Sequence, residues 1–63
     1  MNYQVGDLVK FRCNSIIDYG IIHEIDENNH MVHVVFVGDN ENDWYPMITM
    51  RRYFQNLSNK DKQ

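Results

Sequence analysis

A chain of 63 residues holds a single domain, because so short a chain buries only roughly 60% of its unfolded surface and cannot support two cores. Nine acidic side chains against 6 basic ones give a net charge of −3, which argues against nonspecific nucleic-acid binding, since that needs enough Lys and Arg to displace counterions from phosphates. The lone Cys13 excludes an intramolecular disulfide and suits a reducing compartment.

No run approaches the length of a membrane span, and the first residues lack the basic and apolar regions of a secretory signal, so a cytoplasmic protein is expected. The abundance of Asn and the absence of Ala point to AT-rich coding, as in many phages and some low-GC bacteria. The apolar supply is β-branched and aromatic, which favours a sheet over a helical bundle.

In chain order, Gly6-Asp7 is a turn signal, and Leu8 to Cys13 then alternates with Val9, Phe11 and Cys13 on the inward face. Asn14-Ser15 ends this first strand, and residues 16–18 read as an apolar loop leading to Tyr19-Gly20. A second strand over 20–26 places Ile21, His23 and Ile25 on one side and Ile22 and Glu24 on the other. Glu27-Asn28-Asn29 is turn-forming, and the apolar run over 31–37 reads as a third strand, either covered on both sides or near the centre of a small barrel.

Residues 38–43 form a polar loop, and 44–48 return as a fourth strand that lies at an edge or ends at Pro46, which lacks a ladder donor. Thr49 is the expected N-cap of a short helix or 3₁₀ turn over 50–57 that closes the barrel, with Met50, Tyr53, Phe54 and Leu57 along one face. The domain is expected to span 1–57, and 58–63 to be a flexible polar tail.

Four stretches together resemble the SH3-like small barrels, particularly the Tudor and KOW types. They are Val5-Gly6-Asp7-Leu8-Val9, Tyr19-Gly20-Ile21-Ile22, Val32-His33-Val34-Val35-Phe36 and Asp43-Trp44-Tyr45. The resemblance covers about 5–48 and implies a mainly β fold, a barrel of four or five antiparallel strands with a short C-terminal helix. It also implies an aromatic cage of Tyr19, Trp44 and Tyr45, with Phe36 beside them and Asp39 or Asp43 complementing a bound cation. The acidic-aromatic-glycine turn usual in Tudor domains is Val37-Gly38-Asp39-Asn40 here, which leaves that cage short of a residue. In the alternative packing, Trp44 fills the barrel and Tyr19 covers its end.

His23, His30, His33 and Cys13 are zinc-binding residue types, but they match no tight motif, and His30 and His33 are expected on opposite faces. Cys13 faces inward as inert packing. The carboxylates Glu24, Asp26 and Glu27, and those over 39–43, fall in solvated turns, where general acid-base chemistry lacks the concave, partly dry site it needs. No metal, cofactor or catalytic residue is therefore expected.

The reading is a non-enzymatic protein-interaction module, a small phage or mobile-element accessory protein that binds a basic or cationic protein segment. One alternative is a KOW-like nucleic-acid-binding module using Lys10, Arg12, Arg51 and Arg52. Another is a structural subunit or homo-oligomer that covers Met31, Met47, Met50, Tyr53 and Phe54.

Overall fold

A computed structural model of the chain describes residues 3–58. The strands are β1 (Leu8–Cys13), β2 (Ile16–Asp26), β3 (Met31–Phe36), β4 (Asn42–Pro46) and β5 (Phe54–Asn56), and the helix α1 is Met47–Tyr53. All pairings are antiparallel and join one five-stranded sheet in the order β4-β3-β2-β1-β5. The molecule is thus mainly β with one short helix near its C-terminus. The outer strands β4 and β5 are not paired with each other among the described residues, and α1 runs between them.

The turns follow from residues that accept left-handed backbone. Asn14, at φ 58°, and Ser15 alone connect β1 to β2, because Cys13 pairs directly with Ile16. Residues 16–18 are therefore the start of a strand and not a loop, and Tyr19 lies within β2. At the next turn His30 sits at φ 56°, and the Asp26 carboxylate accepts from the Asn29 backbone N–H at 3.2 Å and from Asn29 Nδ2 at 2.9 Å. The turn after β3 has Asn40 at φ 60°, with Asn40 N–H donating to Phe36 O and Phe36 N–H to Glu41 O. This polar segment is closed by backbone bonds, beyond what its composition indicates.

The strand faces divide by alternation, with one interruption. Val32, Val34 and Phe36 of β3 are buried, while Met31, His33 and Val35 stand on the outer face, so β3 is covered on one side only. In β2 the register against β3 shifts between Ile22 and Glu24, a β-bulge at His23. Its effect is to send Ile22 and Ile25 to the same inner side: Ile22 is buried, Ile25 packs against the core, and Ile21 is outside. Simple alternation had joined Ile21 to Ile25, and the extra residue overturns it.

The core is Val9, Ile22, Val32, Val34, Phe36, Met50 and Phe54, with Tyr3, Phe11, Ile25, Tyr45 and Met47 packed around it. Helix α1, with 7 residues, is too short to be stable alone. It is held by Met50, which is fully buried and whose carbonyl accepts from the Tyr3 hydroxyl at 3.2 Å. The helix starts after Pro46, earlier than the pattern indicates; Thr49 lies inside it, and no side chain caps it. Phe54 ends it with extended backbone and pairs with Phe11 as part of β5, at a ring separation of 5.1 Å. Pairing with the free edge of β1 therefore overrides the helical spacing of Phe54 and Leu57.

Asp7 ties the N-terminal segment to β5, accepting from Gln4 N–H at 2.9 Å and from Asn56 Nδ2 at 2.8 Å. Ser58 Oγ accepts from Leu8 N–H at 2.9 Å, so Ser58 belongs to the folded unit; the remainder of the expected tail, 59–63, lies outside the described residues.

Gly20 is buried where a Cβ would lie 2.6 Å from Val34 Cγ1 and 3.1 Å from the Val35 carbonyl. Val34 is itself fully buried and has little room to yield, so Gly20→Ala is expected to lower stability by about 1–3 kcal/mol in chemical denaturation. A second expectation concerns acid. The bonds from Asn29, side chain first and backbone second, lower the Asp26 pKa below its ordinary value of 3.8. A depressed carboxyl pKa stabilises the fold above the unfolded value and ceases to do so as pH falls through the folded one. Asp26→Ala should therefore melt below the parent at neutral pH, with the difference shrinking as the pH falls through the lowered folded-state pKa.

Candidate functional site

Two strand periods decide which of the expected binding residues meet. Tyr45 and Asp43 pair with Val32 and Val34, on the inner side of the sheet, whereas Trp44 pairs with His33 on the outer side. Tyr45 packs against Phe54 at 5.2 Å and against Phe36 at 6.2 Å, and Phe36 is buried. Tyr19 is on the outer face, level with Val37, whose N–H donates to its carbonyl. Trp44 is level with His33, four residues from Val37, so the two backbone positions are offset by about 13 Å along the strand direction, with β3 between their strands. Tyr19, Phe36, Trp44 and Tyr45 therefore do not form one cage. Nor does Trp44 fill the core: it is 40% exposed, stacked on His33 with ring centroids 5.0 Å apart.

Trp44 instead forms one wall of a shallow surface groove of about 640 Å³, together with Val5, Glu24, Ile25, Asp26, Glu27 and Asn28. Three carboxylates, an exposed indole and the exposed side chain of Val5 thus share one depression. On the other side of β4, Tyr45 has its phenol pKa raised, first by burial and then by the negative charge of Asp43, Glu41 and Asp18. Aromatic rings beside carboxylates occur on both faces of this edge strand. Asp39 accepts from Glu41 N–H at 3.2 Å and serves the turn.

The edge itself is blunted. Phe36 N–H to Glu41 O and Met47 N–H to His30 O bracket a ladder that uses alternate residues, so the N–H of Trp44 points away from β3. The carboxylate of Asp43 accepts that N–H at 2.8 Å, and Pro46 has none to offer. Strand addition is thereby discouraged.

The basic residues do not converge. Lys10 and Arg12 stand on the outer face of β1, opposite Tyr19 and Ile17, while Arg51 and Arg52 lie on α1, which packs on the inner side through Met50. Arg52 borders a small depression with Ile48, Thr49 and Tyr53. Of the residues expected to drive self-association, Met50 and Phe54 are core, and the exposed apolar side chains of β2 are Ile16, Ile17, Tyr19 and Ile21.

The bulge also brings together two of the zinc-binding residue types that the sequence scatters without a tight motif, His23 and His33, and adds Glu24 to them. His23 and Glu24 both come opposite His33, and one donor atom of each lies within 4.8 Å of the others. The signal was the spacing of Ile22 and Ile25: two core aliphatics three apart in a strand whose partner buries every second residue.

Trp44→Ala is expected to remain folded, losing about 1 kcal/mol, because the indole covers His33 without entering the core; unfolding monitored by circular dichroism measures it. Among the described residues no helix is long and apolar enough to cross a membrane. No protein-family model, curated protein or solved structure matches the chain.

Proposed function

We propose that the protein is a non-enzymatic interaction module that binds a basic protein segment in the groove beside Trp44. The reading is supported above all by the composition of that groove, which Trp44 lines together with Glu24, Asp26, Glu27 and Val5. An indole face attracts a Lys or Arg side chain through its quadrupole, and the carboxylates reinforce the attraction. An SH3-like relationship, inferred from the strand motifs, accords with five antiparallel strands and a short helix before the last of them. The net charge of −3 favours cationic partners at a distance. The nucleic-acid alternative is weakened by the division of Lys10 and Arg12 from Arg51 and Arg52 between the sheet and the helix.

Trp44 is the only tryptophan, so its fluorescence reports the groove directly. Titration with a short Lys- and Arg-rich peptide should change the emission saturably and weaken with added salt. Trp44→Ala, followed by calorimetry, should reduce affinity about 5- to 30-fold, the equivalent of one partly desolvated cation–π contact. Glu27→Gln should reduce it about two- to fivefold, as for an exposed ion pair. A saturable response to an oligonucleotide with none to the peptide would reverse the assignment.

A further inference from the structure

We propose that His23, Glu24 and His33 bind one divalent transition-metal ion of the zinc type. Nδ1 of His23 and Nδ1 of His33 are 3.3 Å apart. Two imidazole nitrogens held at roughly 2.0–2.1 Å from a tetrahedral ion lie about 3.3–3.4 Å from each other. The pair therefore already has the spacing of two ligands on one zinc, and a carboxylate oxygen of Glu24 falls within 4.8 Å of both.

The backbone produces this convergence. In an uninterrupted strand His23 and Glu24 would face opposite sides of the sheet. The register shift between Ile22 and Glu24 sets both against His33, and re-aiming a side chain is a common consequence of a bulge. His33 and Trp44 form a pair without ladder hydrogen bonds, the type in which side chains approach more closely.

The surroundings of His33 orient its lone pair. Its Nε2 lies 3.0 Å from Asn42 Oδ1. An amide oxygen only accepts, so Nε2 is the donor in this contact, and in the neutral ring that leaves Nδ1 as the unprotonated nitrogen toward His23. An outer hydrogen bond to the far ring nitrogen is the usual way a ligating histidine has its tautomer and orientation fixed. Stacking on Trp44, at 5.0 Å between centroids, holds the ring against rotation. Two imidazoles and one carboxylate suit zinc and its first-row neighbours, whereas magnesium and calcium favour oxygen donors. His23 and Glu24 are exposed, which leaves water to complete the ligand set. The site rests on its own donors and does not depend on peptide binding in the groove, although Glu24 borders both.

Zinc chloride is titrated calorimetrically into the metal-free full chain, and long-range nitrogen–proton spectra record the histidine rings. The expected result is saturable uptake of one equivalent, shifts at Nδ1 of His23 and His33, a retained Nε2–H on His33, and no change at His30. His23→Gln and His33→Gln should each weaken uptake at least about tenfold, a loss no smaller than that from removing an outer-shell partner. His30→Gln should leave it unaltered. Absence of saturable uptake, shifts confined to His30, or affinity unchanged in both ligand variants would overturn the site and leave a hydrogen bond between two neutral imidazoles. Should either variant fail to fold, the ring spectra of the unaltered protein decide alone.

Discussion

The structure depends on closing one face of a small sheet with a single helix that is not stable by itself. The inner face carries Val9, Ile22, Val32, Val34 and Phe36, and Met50 covers them from α1. Fully burying a side chain of this kind contributes about 1.5–3 kcal/mol, a large share of what so small a domain possesses. Closure also fixes the connection. Once Met50 is seated, Phe54 emerges in extended conformation opposite Phe11 and becomes the fifth strand. The two outer strands are thereby bridged without being hydrogen-bonded to each other.

A face closed in this manner leaves the opposite one to water, and the chemistry of the molecule is distributed accordingly. Alternation sends Tyr19, Ile21, His33 and Trp44 outward, and Tyr45 and Phe36 inward. The bulge at His23 makes the one exception to that rule. It keeps Ile25 on the core while moving His23 and Glu24 together beside His33. Bulges carry a cost in ladder hydrogen bonding and are often found where a side chain must be redirected. The acidic groove and the histidine cluster adjoin through Glu24, so one backbone irregularity shapes both.

Much of the architecture was legible in the residues, and the exceptions share a cause. The strand composition, the Glu27-Asn28-Asn29 turn and the edge position of Pro46 were each carried by local chemistry, and each strand they indicate is present, the fourth displaced to Asn42–Pro46 with residues 47–48 in the helix instead. What escaped were features set by pairing. Residues 16–18 looked like a loop until their register with Phe11, Arg12 and Cys13 made them strand. Phe54 and Leu57 completed a helical spacing that pairing with β1 overrode. The aromatic cage failed for the same reason: Trp44 and Tyr45 are adjacent in sequence, and adjacency in a strand means opposite faces. Thr49 had the chemistry of a cap but lies within a helix that begins at Met47.

The central claim is the register of β2 with its irregularity at His23, since both the core and the outer face follow from it. Nuclear Overhauser contacts among methyl groups and histidine rings test it most directly. The account predicts that Ile22 and Ile25 both contact the cluster of Val32, Val34 and Met50, while the rings of His23 and His33 contact each other. Contacts from Ile21 to that cluster, with the His23 ring remote from His33, would contradict it.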